Sequence, residues 1–164
     1  METKSFFEVF PTIKKEGYVG DLFENVKVTR VTKNRSNTAV RIYIKSDRLI
    51  EKGIIRKLEE EIKTKVFENT HIDIHIMEQF SLSGQYTPDR LYKVYRESIL
   101  LELKEYNMIE YNMLNRAECV FPEEGIMQLN VKESPVSRAK EDELINILQK
   151  IFCERCGIPV EVRV

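Results

Sequence analysis

One pattern of apolar residues occurs twice in this chain, and it constrains the fold more than any other feature of the sequence. In its first occurrence the runs NVKVTRVTKN and TAVRIYIKS alternate apolar and polar residues on either side of residues 35–37, which predicts a β-hairpin. Apolar residues four positions apart then predict a helix over residues 47–67, for which Ser46 and Asp47 are candidate caps. The run HIDIHIM predicts a strand with its isoleucines on one face and its polar residues on the other.

The same order of elements returns in the last third of the chain. The runs RAECVF and GIMQLNV bracket a turn at residues 122–125 and predict a second hairpin. Ser134 as a cap and Pro135 at the first helical position then predict the second helix. IPVEVRV predicts the closing strand and begins 87 residues after HIDIHI. We therefore predict an α+β fold with two ββαβ units, over residues 24–80 and 116–164.

A long helix is predicted between the two units. In TPDRLYKVYRESILLELKEYNMIEYNML, Thr87 is a candidate cap, Pro88 suits the first turn, and neither Pro nor Gly follows as far as Leu114. The predicted organisation is a basic N-terminal subdomain, a connecting loop with the long helix, and a second subdomain packed with that helix. These three parts cover residues 1–80, 81–115 and 116–164.

Composition places the chain among ordinary globular proteins. Of its 164 residues, 42% are hydrophobic and 32% are charged, and no apolar run approaches the roughly 20 residues of a membrane span. The opening residues METKSFFEVF lack the basic and long apolar regions of a signal peptide. We therefore expect a cytoplasmic protein with reduced cysteines and no membrane partner.

The net charge of −1 conceals a strong asymmetry along the chain. Residues 26–67 carry twelve cations and five acids, whereas residues 96–145 carry six cations and eleven acids. Clustered positive charge attracts either a phosphate backbone or an acidic protein face, although charge runs often serve solubility alone. The candidate contacts of the basic segment, which span the first hairpin and the start of its helix, are Lys33, Arg35, Arg41, Lys45, Arg48 and Lys52.

Two cysteines in IFCERCGIPV raise the question of a metal or redox site. A closed zinc site needs four ligands, and Cys153 and Cys156 have only Cys119 and the two histidines of HIDIHIM as possible additions. Those histidines lie four residues apart on a strand, roughly 13 Å from each other. A redox pair favours a helix N-terminus, whereas Gly157 after the pair is typical of a helix-to-strand junction. We therefore expect a structural role, with no metal and no cofactor.

Patterns that indicate catalysis are missing from the sequence. The chain has no G-x-x-x-x-G-K, G-x-S-x-G, H-E-x-x-H or dinucleotide-binding pattern. The acidic triplets at residues 59–61 and 141–143 fall on predicted helix surfaces, where solvated, ion-paired side chains are expected. The stretch LSGQYTP is either a turn or a recognition loop. We therefore predict no catalytic residues in this chain.

Several ordered strings together resemble a known family. They are FFEVFP, RIYIKSDRLI, LSGQYTP, YRESILLELKEYNMIEYNML and IFCERCGIPVEV, and the likeness runs essentially from Phe6 to Val164. These strings are similar to the N-terminal region of the PolC-type DNA polymerase III alpha subunit, the replicative polymerase of low-GC Gram-positive bacteria. The resemblance implies a fragment of a DNA-directed DNA polymerase with 3′–5′ exonuclease activity, whose catalytic domains lie outside this sequence.

The resemblance also implies a fold and partners. This region of the family is similar to the polymerase-binding domain of the clamp-loader tau subunit and to type II KH domains, whose GXXG loop neither unit has. It implies a non-catalytic module that docks the polymerase to a replisome protein such as tau, the helicase or the primase. The alternative is an auxiliary nucleic-acid-binding module, in which the hairpin tip at Lys33, Asn34 and Arg35 reaches a phosphate.

Overall fold

A computed structural model describes residues 3–13, 17–68, 70–82, 84 and 86–164, and of LSGQYTP it leaves residues 83 and 85 undescribed. The chain divides into two compact units, Met1–Ser81 and Leu82–Val164, each with its own small sheet. The predicted mixture of helices with two small sheets is therefore confirmed. Of the predicted connecting part, residues 82–115 fall within the second compact unit.

The first unit combines helices with a four-stranded sheet. Its elements are β1 Lys4–Ser5, α1 Phe6–Val9, α2 Gly17–Phe23, β2 Lys27–Lys33, β3 Ala39–Ser46, α3 Lys52–Lys65 and β4 Asp73–Phe80. The strand order is β1-β2-β3-β4, with β1, β2 and β3 antiparallel and β4 parallel to β3. The buried side chains of its strands include Val28, Val40, Ile42, Ile44, Ile74 and Ile76. Helix α3 packs against β4 and buries Leu58 and Ile62.

Helix α3 begins later than its capping pattern predicts. The hydroxyl of Ser46 donates to the carbonyl oxygen of Arg48 and accepts from the Arg48 N–H, at 2.8 and 3.1 Å. Serine that bonds to nearby backbone in this way favours a turn over a helix. The helix therefore starts at Lys52, with Glu51 at the N-cap position.

The second unit begins with two helices and continues with a hairpin, a helix and a strand. Its elements are α4 Pro88–Tyr106, α5 Met108–Arg116, β5 Glu118–Val120, β6 Ile126–Asn130, α6 Pro135–Gln149, a π-helical segment Lys150–Arg155 and β7 Glu161–Arg163. The strand order is β5-β6-β7, with β5 antiparallel and β7 parallel to β6. The predicted cap is confirmed, since the Ser134 hydroxyl accepts the Ser137 N–H at 3.0 Å. Leu148 and Ile151 are buried.

The predicted long helix is wrong in one respect, because it is broken at Asn107. This residue is extended, with φ −159° and ψ 119°, and its side-chain oxygen accepts the N–H groups of Ile109 and Glu110. An asparagine side chain that caps the next turn competes with the continuing helix. The break therefore separates α4 from α5 without Pro or Gly.

In both units a side chain from a helix accepts a hydrogen bond from a backbone N–H at the edge of the sheet. In the first unit the Glu59 carboxylate of α3 accepts the Ile76 N–H of β4 at 2.7 Å. In the second unit the Gln149 amide oxygen of α6 accepts the Val162 N–H of β7 at 3.1 Å. Glu59 is consequently buried, rather than solvated as its acidic triplet predicted. These two edge hydrogen bonds satisfy donors that an uncovered edge strand would present to other chains.

Candidate interaction surface

The sheet of the first unit has an inner face that packs on the core and an outer face that stays exposed. On β3 the buried residues Val40, Ile42 and Ile44 alternate with Arg41, Tyr43 and Lys45, because successive strand residues point to opposite faces. Pairing with β2 and β4 extends these three positions into three rows. We define the outer face as the row Arg30, Tyr43 and Met77, flanked by the row Lys27, Lys45 and Gln79 and the row Thr32, Arg41 and His75.

A bulge in β2 brings Arg30 onto this face. Val28 lies opposite Ile44, but the next paired residue is Arg30 opposite Tyr43, which leaves Thr29 as the extra residue. A bulge of this kind changes which side chains point to each face of the strand. The Arg30 guanidinium consequently lies over the Tyr43 ring, with its carbon 4.0 Å from the ring centroid. That distance is well within the range of a cation–π interaction.

The outer face carries an excess of positive charge. Lys27, Arg30, Arg41 and Lys45 are all exposed, and among the described residues none of them forms an ion pair with a carboxylate. The hydrogen bond from Arg41 to the Tyr43 hydroxyl, with smaller contributions from Arg30, lowers the pKa of that hydroxyl, against the opposing effect of burial. The Tyr43 ring, at the centre of the face, therefore contacts two positive charges, Arg30 over the ring and Arg41 at its hydroxyl.

Only part of the predicted contact set lies on this face. Arg41 and Lys45 do, and they are brought together with the other cations. Lys33 lies opposite Val40 at the end of the hairpin, in the register of the inner face. Arg35 is exposed in the hairpin loop and Arg48 is exposed in the turn after β3.

Lys52 does not lie on the exposed surface, contrary to the predicted set. Its ammonium group is 2.7 Å from the Glu78 carboxylate, and both side chains are 2% exposed. A buried lysine needs such a partner because an unpaired charge away from water is costly. This correction removes Lys52 from the candidate contacts and makes it part of the core of the first unit.

Sequence reasoning missed the residues that complete the outer face. The alternation of apolar and polar residues could have placed Lys27 and Tyr43 on the exposed face, since each lies in a run that predicts a strand. Arg30 was not, because a bulge depends on which strand pairs with β2. His75 and Met77 join the face only through the parallel pairing of β3 with β4, which a linear pattern does not reveal.

The cysteines near the C-terminus lie at a junction between a helix and a strand. Cys153 is exposed and Cys156 is buried, and Gly157 after them has a positive φ of 67°. Between them, the Arg155 guanidinium donates to both oxygens of Glu102 in α4, at 2.7 and 2.8 Å. The geometry therefore supports an anchoring role for this segment. Within the described ranges no group of three or more His, Cys, Asp or Glu side chains is placed to hold a metal ion.

Comparison with known families assigns the first unit. Residues 5–76 match the family model described as DNA polymerase III polC-type N-terminus I. The match confirms the resemblance to the N-terminal region of PolC-type polymerases. It covers seven of the nine outer-face residues, all except Met77 and Gln79. Comparisons with curated proteins and with solved structures gave no significant match.

Of the helices that the structure describes, none is both long enough and apolar enough to cross a bilayer.

Proposed function

We propose that this chain is a non-catalytic N-terminal module of a bacterial replicative DNA polymerase and that it docks the polymerase to another replisome component. The polC-type match over residues 5–76 carries this proposal. The partners to test are the clamp-loader tau subunit, the helicase and the primase. In this role the module contributes binding energy and position, while the chemistry belongs to other domains of the polymerase.

The outer face supports a binding role. Its cations are held on paired strands, and a site on rigid strands is positioned more accurately than one on a loop. Cations without carboxylate partners attract an acidic or phosphorylated surface and increase the rate of encounter with it. The face therefore has the charge and the rigidity of a docking surface.

The order of elements supports the comparison with type II KH domains and the tau polymerase-binding domain. Each unit contains a hairpin, a helix and a strand parallel to the second hairpin strand. Because neither unit has a GXXG loop, the backbone clamp of a working KH domain is not part of the proposal. The outer face takes the place of that loop as the candidate contact surface.

Direct binding measurements with purified tau, helicase and primase test the docking proposal. We expect one of them to bind the immobilised chain, and we expect Arg41→Glu with Lys45→Glu to weaken that binding at least tenfold, which is about 1.4 kcal/mol. The matched control is Lys33→Glu with Arg35→Glu, which reverses the same charge away from the outer face. If none of the three proteins binds at high concentration, the docking proposal fails.

A second candidate function, auxiliary binding of nucleic acid, is favoured by the stacked pair of Arg30 and Tyr43. The cations around this pair have no carboxylate partner in the part of the chain that the structure describes. Neutralised phosphates release counterions, so the logarithm of the affinity falls linearly with the logarithm of the salt concentration. A titration with oligonucleotides at several salt concentrations measures this slope. A surface that serves only solubility will bind weakly at every salt concentration.

A further inference from the structure

We infer that the outer face of the first unit binds single-stranded nucleic acid, with bases on its middle row and phosphates along its two flanking rows. This inference rests on the nucleic-acid form of the proposed function. It adds the strandedness of the ligand and the residues that hold it.

The middle row offers a platform on which bases can stack. The Arg30 guanidinium lies over the half-buried Tyr43 ring, and the flexible side chain of Met77 beside them is 41% exposed. Unpaired bases stack on aromatic rings and on guanidinium planes. Tyr43 is already held by Arg30 and Arg41, so binding costs little further ordering of this platform.

The flanking rows place positive charge on both sides of that platform. Arg41 and Lys45 lie four residues apart on β3, which separates them by roughly 13 Å along the strand, with Tyr43 between them. Lys27 pairs with Lys45 across the sheet and adds a second cation to that row. A strand of nucleic acid that crosses the rows therefore meets a cation, a stacking surface and another cation in turn.

The geometry favours a single strand over a duplex or an acidic protein. A duplex keeps its bases stacked inside, so the pair of Arg30 and Tyr43 would find no partner. The major groove of B-DNA admits an α-helix or a two-stranded ribbon, whereas this face belongs to a four-stranded sheet. An acidic protein would use the cations and leave the stacking platform unused.

Fluorescence anisotropy of the whole chain with a labelled oligothymidylate of about 15 nucleotides tests the inference. Binding should weaken with rising salt, and Tyr43→Leu should weaken it about tenfold at fixed salt through the lost stacking. Tyr43→Phe keeps the ring and should bind like the unmodified chain. Arg41→Ala with Lys45→Ala should flatten the salt slope by about 1.4 units, since each contact to a single strand contributes about 0.7.

Two controls separate this face from general attraction to positive charge. Lys33→Ala with Arg35→Ala removes the same charge from the hairpin end and should change the slope much less. Unlabelled oligothymidylate should displace the probe more readily than a duplex of equal length or polyglutamate does.

Three results would overturn the inference. The first is an equal change in salt slope from Arg41→Ala with Lys45→Ala and from Lys33→Ala with Arg35→Ala. The second is a folded Tyr43→Leu chain that binds oligothymidylate as tightly as the unmodified chain. The third is stronger competition by polyglutamate than by oligothymidylate. If Tyr43→Leu does not fold, Tyr43→Phe and the two charge variants decide the question. The docking measurements contain no nucleic acid, so failure here and failure of docking are distinguishable.

Discussion

The two units share an order of elements but present opposite surfaces on the exposed faces of their sheets. In the first unit that face carries four cations without carboxylate partners among the described residues. In the second unit the corresponding face carries Glu118, Glu161 and Arg163, and Arg163 donates to Glu161 at 2.9 Å. This hydrogen bond lowers the pKa of Glu161.

This difference teaches that the shared topology does not determine a shared function. The inner faces must be apolar in both units because each sheet packs on a core. The outer faces have no such constraint, and their charges therefore diverge. A binding role follows from the particular side chains on one face, as it does for other folds. The second unit consequently serves as an internal control for the first.

The largest effect is expected from the buried ion pair, which belongs to the first unit. Lys52→Met leaves the Glu78 carboxylate buried without its partner, and breaking such a pair costs about 3–5 kcal/mol. Urea denaturation followed by circular dichroism measures the loss. Lys52→Met with Glu78→Leu should recover much of it, because both charges are then replaced by apolar groups. If the double variant is as unstable as the single one, the pair is not the cause.

A smaller effect, confined to the second unit, is expected from its buried carboxylate. Glu110 is fully buried and its oxygens accept no hydrogen bond from the described residues. Burial, together with the neighbouring Glu143 of α6, raises the pKa of Glu110 to about 7, and Lys140 opposes this only partly. Glu59, which is a buried carboxylate in the first unit, instead accepts hydrogen bonds from Arg56 and from the backbone.

The raised pKa of Glu110 predicts how stability depends on pH. Below the ordinary pKa of 4.5 the carboxyl is protonated in both states and costs nothing. As the pH rises from there to about 7, the unfolded chain loses the proton first and stability falls, by up to about 3 kcal/mol. Glu110→Gln should therefore be more stable than the unmodified chain at pH 8 and similar to it at pH 4. Equal stabilities at pH 8 would contradict this account.

The stability that each unit gains from its edge hydrogen bond can be compared directly. Glu59→Ala and Gln149→Ala each leave a strand N–H without its acceptor, at a cost of about 1–3 kcal/mol. The carboxylate in the first unit should matter more than the amide in the second, since bonds to charged groups are stronger. Amide hydrogen exchange gives the sharpest measurement, because Glu59→Ala should release Ile76 and Gln149→Ala should release Val162. A larger loss from Gln149→Ala would reverse the comparison.

These contrasts also show which parts of the fold and of the outer face the sequence alone predicts. Alternation predicts both hairpins and the strand with Ile74 and Ile76, because period two is a local property of a half-buried strand. The capping residues Ser134 and Pro135 predict where α6 begins for the same reason. The bulge beside Thr29 is not local, since it depends on the strand that lies opposite. The same holds for the pairing of β3 with β4 and for the partner of Lys52. Of the four outer-face cations, the sequence therefore predicted only Arg41 and Lys45 as contacts.

The smallest effect on stability, and the most direct comparison of the outer faces, is expected from single arginine variants. Arg41→Ala in the first unit and Arg163→Ala in the second both change an exposed residue, so each should alter stability by no more than about 0.5 kcal/mol. Their effects on oligothymidylate binding should differ. Arg41→Ala removes one of the proposed phosphate contacts and should flatten the salt slope by about 0.7, whereas Arg163→Ala should leave it unchanged. Thermal melts and anisotropy on the same samples measure both quantities, and equal salt slopes for the two variants would mean that the outer faces do not differ in binding.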